Sequence, residues 1–574
     1  MNKKDSIWKM HVGFGLVCVC MVGLVARVAY LHLGPHDNFR NAVRKNQKVE
    51  KTIVALRGSI LDCKGDKNVL AMNVRAKDVC VDPDAIVKSN KVAEVTTTLA
   101  QSLKLEQHDV FKNVNQPGKR FACVQKGVQD DLAEAIRKKK LMGVFLQDAT
   151  VRNYPQGSFL CHVMGFVNNE GVGSAGVEQY CNRSLTGSAG RVETKVNALR
   201  QELYLERRRY VAPNEGHDVV LTIDQNMQYM VEKELDEAMA QHRAKAAWCI
   251  IQRVRTGEIL AMGSRPGYDL NRFYDAGDDE LLNRTIGNNY EPGSTFKAIT
   301  FSAAFNEGVV KQEQMFDCED GAWMFAGRIL HDYHRYGMLT VADGLKKSSN
   351  IMTVKIANIL GEKRVYTYMK AFGIGEKTGI DLPGEERGLL SNPSKWSKLS
   401  IGRIPIGQGV SVTSLQLLGV YAAIANDGYL MKPYVISEIR DKEGKVTYKG
   451  QPEVMARPIS AETSALMRRL LARVTEEGGT GTKARIEGYE VAGKTGTAEK
   501  AVNGVYPPGV VVASFVGFFP AESPEVAMVF VVDEPQALHT GGVVAAPSFG
   551  KIGAQVVRYL DIQPSEYALA SVKK

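Results

Sequence analysis

The sequence predicts a large α/β (α+β) domain preceded by a smaller mixed domain and one N-terminal transmembrane helix. Three observations carry this. Residues 12–26 (VGFGLVCVCMVGLVA) contain no charged side chain. Residues 57–215 mix short β-like runs with charged helical stretches and frequent turn signals. From Gly216 the texture changes to long interleaved helical and strand patterns that continue to about residue 560.

Composition narrows the class before any motif is read. The 574 residues are 44% hydrophobic, 24% charged and 8% aromatic, which excludes disorder, collagen and coiled coil as global descriptions. Lys+Arg 73 against Asp+Glu 63 gives a net charge of +10, which suits an anionic membrane or cell-wall surface as well as nucleic acid.

The apolar stretch is a span only if extended. Fifteen helical residues cover about 22 Å, short of a hydrocarbon core of about 30 Å. Continuing to Leu33 gives about 33 Å, with Arg27 snorkelling towards the headgroups. Lys3, Lys4 and Lys9 precede it as in a signal peptide, but candidate cleavage sites are poor: Leu24 lies two residues before Ala26, and Arg27 before Ala29. We read an uncleaved signal-anchor. Arg40, Arg44, Lys45 and Lys48 follow closely, so flanking charge does not choose a side. The expected organisation is a short tail at 1–11, the anchor at 12–33, a basic stalk at 34–56, a mixed domain at 57–215 and the large domain at 216–574.

Within the mixed domain, Val79–Val81 and residues 121–124 read as strands and 130–140 as a helix. GHDVVLTID (216–224) reads as a strand leading into a helix over 226–242 behind Asp224. Two β-runs flank Thr256-Gly257 as a hairpin. Residues 415–425 form a helix closed by Asn426-Asp427-Gly428. Of nine cysteines, Cys18 and Cys20 lie in the anchor. The seven others are odd in number and form no CxxC or zinc spacing. Pairs such as Cys63–Cys80 or Cys161–Cys181 are open to an exported domain, with buried free thiols favoured for most. No metal or cofactor is expected.

One motif points to a nucleotide. Gly488 to Thr495 (GYEVAGKT) matches G-x-x-x-x-G-K-[ST], and the apolar run 527–534 ends in Asp533-Glu534 like a Walker B strand. A P-loop needs a helix opening at the lysine, whose N-terminal amides cradle phosphate. Here Gly496, Asn503-Gly504 and Pro507-Pro508 leave no room for one. Residues 489–498, 510–518 and 526–532 read instead as an antiparallel meander with Lys494 on a strand. A P-loop ATPase is therefore a remote alternative.

The same lysine completes a different set. Ser294 and Lys297 sit three apart behind Pro292-Gly293, a spacing that puts hydroxyl and amine on one helical face. Serine needs a neighbouring base to act as a nucleophile, and a desolvated lysine can serve. The helix N-terminus also favours developing negative charge at Ser294. S-x-x-K alone is common and weak. Ser348-Ser349-Asn350 follows, then Lys494-Thr495-Gly496-Thr497. Each has a bland reading, as a helix cap, a solvated lysine or a surface strand. Their order, S-x-x-K, S-x-N, K-T-G, is that of the serine acyl-transferring penicillin-binding and β-lactamase superfamily.

Flanking residues narrow the resemblance to class B penicillin-binding proteins over nearly the whole chain. Residues 57–65 (RGSILDCKG) resemble the family's R-G-x-I-x-D-R-N-G pedestal motif, departing at Cys63 and Lys64. Arg152-Asn153-Tyr154-Pro155 with His162 and Gly165 resembles the second pedestal motif, and Gly176, Glu178, Tyr180, Leu185 and Gly187 the third. Gly407-Gln408-Gly409 with Thr413 and Gln416 resembles G-Q-G-x-x-x-T-P-x-Q, with Ser414 in place of Pro. Glu291-Pro292-Gly293-Ser294, the run 513–520 and Asp533-Glu534-Pro535 are most like the division-type branch (penicillin-binding protein 3). Elongation-type members and β-lactam sensors are the alternatives.

The resemblance implies a penicillin-binding/β-lactamase-like transpeptidase domain on a pedestal. It also implies D-Ala-D-Ala crosslinking of peptidoglycan stem peptides in septal synthesis. Ser294 would be the nucleophile and Lys297 its base. Ser348 and Lys494 would relay the proton, and Asn350, Thr495, Gly496 and Thr497 would bind substrate. Arg57, Asp62, Arg152 and Glu178 would be structural or partner-facing. The implied partners are stem peptides, inhibitory β-lactams, the membrane, and a membrane glycosyltransferase with other division proteins, but no nucleic acid. The catalytic domain would face the outer (periplasmic) side.

Overall fold

The computed structural model describes residues 3–33, 48–195, 209–500 and 505–564; residues 34–47 of the expected stalk lie outside these. The chain forms two compact units. One comprises residues 1–55 and 187–215, the other 56–186 and 216–574.

The first unit holds a helix, Lys3–Leu33, and a three-stranded antiparallel sheet ordered Lys48–Ile53, Gly190–Lys195, Arg209–Val211. The segment Ile7–Leu33 has a mean hydropathy of 2.2 and no part of its most apolar stretch is buried. Its 27 residues reach about 40 Å at 1.5 Å per residue, enough to cross a membrane.

In the second unit, five antiparallel strands form a sheet ordered Ile259–Arg265, Ala246–Arg253, Val526–Asp533, Val511–Phe519, Ala492–Glu499. Side chains alternate between two cores with period two. Ala527, Val529 and Val531 enter one core, while Met528, Phe530 and Val532 enter the other. Helices Gln225–His242 and Ala546–Tyr559 cover the second face, and Ser414–Ala425 packs on the first. Burial on both faces explains the unbroken apolar run that imitates a Walker B strand.

A second sheet of seven strands crosses residue 216. Its order is Val446–Lys449, Ile436–Arg440, Asp218–Leu221, Ile60–Leu61, Val69–Val81, Ala122–Val128, and Val144–Asn153 also pairs with Val69–Val81. Helices Val92–Leu103, Gln107–Val114 and Asp130–Lys138 pack on it through Val95, Leu99, Val110, Ala133 and Ile136. The i, i+4 spacing of Val95 and Leu99 is the amphipathic stripe expected of such a layer.

The three pedestal motifs meet on one carboxylate. Glu178, fully buried, accepts from Arg57 Nε at 2.7 Å and Arg152 Nε at 2.6 Å, with the Tyr154 hydroxyl at 3.3 Å. Arg57 further donates to Asn182 Oδ1 at 2.8 Å and the Glu178 carbonyl at 2.9 Å; Arg152 donates to the Gly58 carbonyl at 2.7 Å. Asp62 is also buried and holds the Lys64 amide and Asn68 side chain, at 2.8 and 2.7 Å. Gly165 and Gly176 both have positive φ, and a Cβ on Gly165 would lie 1.9 Å from the Ala175 carbonyl oxygen. Only glycine permits that approach.

Both departures from the first pedestal motif are accommodated. Lys64 Nζ donates to the Tyr559 hydroxyl at 2.6 Å, and that hydroxyl donates to Asp224 at 2.7 Å. Asp224 caps the helix Gln225–His242 through the amides of Asn226 and Met227. The Cys63 side chain is exposed, with its thiol 3.7 Å from Asp224.

Candidate active site

Ser294 lies in a 3₁₀ turn, Gly293–Phe296, that feeds the helix Lys297–Asn306. This corrects the simple helix-start expectation: the nucleophile candidate occupies the tighter turn, and the α-helix opens at the lysine. Gly293 has φ +56° and donates its amide to the Gly407 carbonyl at 3.1 Å. A Cβ on Gly407 would meet the Gly293 oxygen at 2.2 Å, so the G-Q-G stretch forms a floor beneath the turn. Gly409 N in turn bonds Glu291 at 2.9 Å.

Beyond it, Thr413 and Gln416 form the capping box of the helix Ser414–Ala425. Ser414, standing where the family pattern has Pro, accepts from Trp248 Nε1 at 2.6 Å and donates to the Tyr290 hydroxyl at 3.1 Å. The hydroxyl thus satisfies a buried indole N–H.

Lys297 is fully buried. Its Nζ donates to the Ser348 carbonyl at 2.6 Å and to Ser348 Oγ at 3.1 Å. Among the described residues it forms no ion pair. Ser294 and Lys297 are not hydrogen-bonded to each other in this structure: the amine turns to Ser348, while Ser294 Oγ stays half-buried on the groove. Such contacts commonly tighten only with substrate bound. Desolvation lowers Lys297 to about 7, partly opposed by the charge of Asp332.

Ser348 holds a left-handed backbone, φ +61°, a conformation disfavoured for a side-chain-bearing residue. The turn aims both its oxygens at Lys297. Ser349 caps the helix Asn350–Leu360, and Asn350 Nδ2 donates to the His331 carbonyl at 2.8 Å. Asp332, which belongs to none of the sequence motifs, holds this turn together. Its carboxylate accepts from the Asn350 amide, the Ile351 amide at 3.0 Å and Ser349 Oγ at 2.7 Å. No spacing rule would have found it, because it lies in a loop after the strand Arg328–His331.

Lys494 lies on the strand Ala492–Glu499, paired with Val511–Phe519 across a register that sets Lys494 opposite Val516. No helix opens there, and the lysine is fully buried, so the phosphate-cradle reading fails on geometry. Among the described residues its Nζ reaches only the Thr495 carbonyl, at 3.4 Å. Burial, then the neighbouring Lys297, drives it well below the ordinary lysine value. Thr495 Oγ1 bonds Thr480 at 2.8 Å, and Thr497 Oγ1 accepts from the Gly541 amide at 3.0 Å. Gly496 needs its hydrogen: a Cβ would lie 2.9 Å from Thr295 Cγ2 and 3.0 Å from the Pro292 oxygen. The strand therefore packs directly on the Ser294 turn.

A groove of about 1190 Å³ is lined by Ser294, Ser348, Asn350, Thr495 and Thr497. Lys297 and Lys494 lie beneath its surface. Arg328, Lys347, Arg403 and Lys483 also line it, against the single carboxylate of Glu499.

Comparison with known proteins places the chain in a family. Residues 247–554 match the penicillin binding protein transpeptidase domain and residues 52–221 the penicillin-binding protein dimerisation domain. The chain is 31% identical to the peptidoglycan D,D-transpeptidase FtsI of Escherichia coli, covering 97% of this chain and 92% of that one. It is 36% identical to stage V sporulation protein D of Bacillus subtilis, over 88% of this chain and 79% of that one. The crystal structure of penicillin binding protein 3 from Mycobacterium tuberculosis complexed with ampicillin superimposes with a TM-score of 0.70 at 26% identity. It covers 90% of this chain and 98% of its own.

Proposed function

The chain belongs to the penicillin-binding proteins that carry a dimerisation and a transpeptidase domain, and from that premise we propose a peptidoglycan D,D-transpeptidase acting through an acyl-enzyme on Ser294. The observation that carries the site assignment is the Lys297 amine. It is buried, lowered to about 7, one turn from Ser294 and bonded to Ser348.

In this reading Ser294 Oγ attacks the carbonyl between the terminal D-Ala residues of a stem peptide while Lys297 takes its proton. Backbone N–H groups of Ser294 and Thr497 receive the oxyanion; losing such a donor typically costs about 3 kcal/mol in the barrier. Ser348 and Lys494 return the proton to the departing D-Ala. Thr495 and Thr497 hold its carboxylate, Gly496 lets the strand approach, and Asn350 binds the donor amide. An amine of a second stem peptide then attacks the acyl-enzyme. Four cations against one carboxylate along the groove suit a carboxylate-bearing peptide.

The division role is supported by the match to FtsI and to penicillin binding protein 3. The apolar helix supplies a single-pass anchor, with the catalytic domain outside the membrane, where a membrane glycosyltransferase would supply glycan strands. β-Lactams acylate the same serine. Labelling with a fluorescent penicillin tests this: the wild type labels and Ser294→Ala does not. Undiminished labelling of Ser294→Ala would remove the assignment.

A further inference from the structure

Cys80 and Cys123 face each other across two paired strands. Cys80 is the penultimate residue of the strand Val69–Val81, Cys123 the second of Ala122–Val128, and the antiparallel register makes them direct partners. Directly opposed residues of an antiparallel pair have Cα atoms about 4.5–5.5 Å apart, inside the span a disulfide bridges. Both side chains point away from the helix layer, since Val79, Val81, Ala122 and Val124 belong to the core on the other face. The rings of Phe121 and Phe145, with centroids 6.1 Å apart, flank them, and Phe145 is the partner of Cys80 on the third strand.

We propose that Cys80 and Cys123 are a disulfide site that staples the pedestal sheet when the domain is outside the cytoplasm. This rests on the outward orientation proposed above. Cys123 is half-buried and Cys80 buried, which sets the order of events. The Cys123 thiolate attacks a disulfide oxidant, forming a mixed disulfide and releasing one oxidant thiol. Cys80 Sγ then attacks Cys123 Sγ and releases the second. Two cysteine protons and two electrons leave, the S–S bond forms, and the oxidant's disulfide becomes two thiols. Burial raises both thiols, Cys80 to about 12, so closure is slow without a catalyst. Cys63–Cys80 is displaced as a pairing, because the register gives Cys80 a different neighbour.

The test uses the full chain in detergent, oxidised with glutathione disulfide, alkylated, and digested without reductant. The expected product is one peptide pair joining Cys80 to Cys123, two hydrogen masses lighter than its parts, with the exposed Cys63 alkylated. Cys123→Ser should abolish the pair, and reduced wild type serves as a second reference should that variant fold poorly. Oxidation should raise the melting temperature of wild type by at least about 3 °C and leave Cys123→Ser unmoved. Recovery of both cysteines as alkylated thiols, a Cys63–Cys80 pair, or an unchanged melting temperature in fully bridged protein would overturn the staple. Fluorescent penicillin labelling of the same samples separates the two readings. Labelling without the bridge sinks the disulfide alone, and the bridge without labelling sinks the acyl-enzyme alone.

Discussion

The groove and the pedestal each bury two cationic side chains, and they treat them in opposite ways. Arg57 and Arg152 converge on the buried carboxylate of Glu178, at 2.7 and 2.6 Å. Lys297 and Lys494 are fully buried with no carboxylate partner among the described residues, and desolvation lowers both. A guanidinium remains charged and forks onto a carboxylate, so it serves structure. An amine can lose its charge when dried, which suits it to the role of base proposed for Lys297. Buried cations are thus a sign of chemistry only where the counter-charge is missing.

The largest effect should separate the two sites outright. Lys297→Met is expected to cut the penicillin acylation rate by about 10³-fold or more, measured by stopped labelling. Its melting temperature should stay level or rise, because a desolvated amine is removed. A large loss of stability with intact acylation would reverse the roles assigned to the two sites.

Glu178→Ala should do the opposite. Leaving two buried guanidinium groups without their carboxylate is expected to cost about 3–5 kcal/mol, read by urea unfolding. The acylation rate of the folded fraction should stay within about twofold of wild type.

His162, of the second pedestal motif, donates Nε2 to the Glu280 carbonyl at 2.8 Å, and burial lowers it to about 4. Its folded value lies below its unfolded value of 6.5, so the unfolded chain binds the extra proton between them. Its contribution is complete above pH 6.5 and is lost as pH falls towards 4, by about 3 kcal/mol. Wild type should therefore lose more stability over that window than His162→Gln. Equal slopes would place the acid sensitivity elsewhere.

Ser414→Ala strands the Trp248 indole N–H in the core and should cost about 1–3 kcal/mol in unfolding experiments. Acylation should hardly change, since the hydroxyl serves the Trp248 indole and the Tyr290 hydroxyl in the core and not the groove.

The groove should also respond to titration of the proposed base. With Lys297 at about 7, its neutral form is lost as pH falls through that value. Acylation should slow about tenfold per unit below it. A rate flat from pH 8 to 5.5 would mean that the amine is not the base.

The motifs were legible because each depends on short-range geometry. Lys494 to Thr497 is half a strand and falls as read, whereas Ser294 lies in the 3₁₀ turn just before the helix that opens at Lys297. The helix at 225–242 and the meander at 492–533 also follow their periodicity. The turn of Lys297 towards Ser348 was not legible, because the φ +61° of Ser348 comes from the loop that Asp332 braces. Nor does any local pattern show that Arg57 and Arg152 share the Glu178 carboxylate, since their sequence separations exceed any periodicity.

The sequence by itself determined the class of chemistry, the anchor and the strand on which Lys494 sits. It could do so because nucleophile spacing, span length and alternation are properties of neighbours along the chain. Tertiary structure decided which buried cations would be neutralised and which left bare. It also decided that Gly407 underlies Gly293, and that Cys80 meets Cys123. Those outcomes depend on which distant segments exclude water around a given atom, and desolvation is a property of the packed molecule.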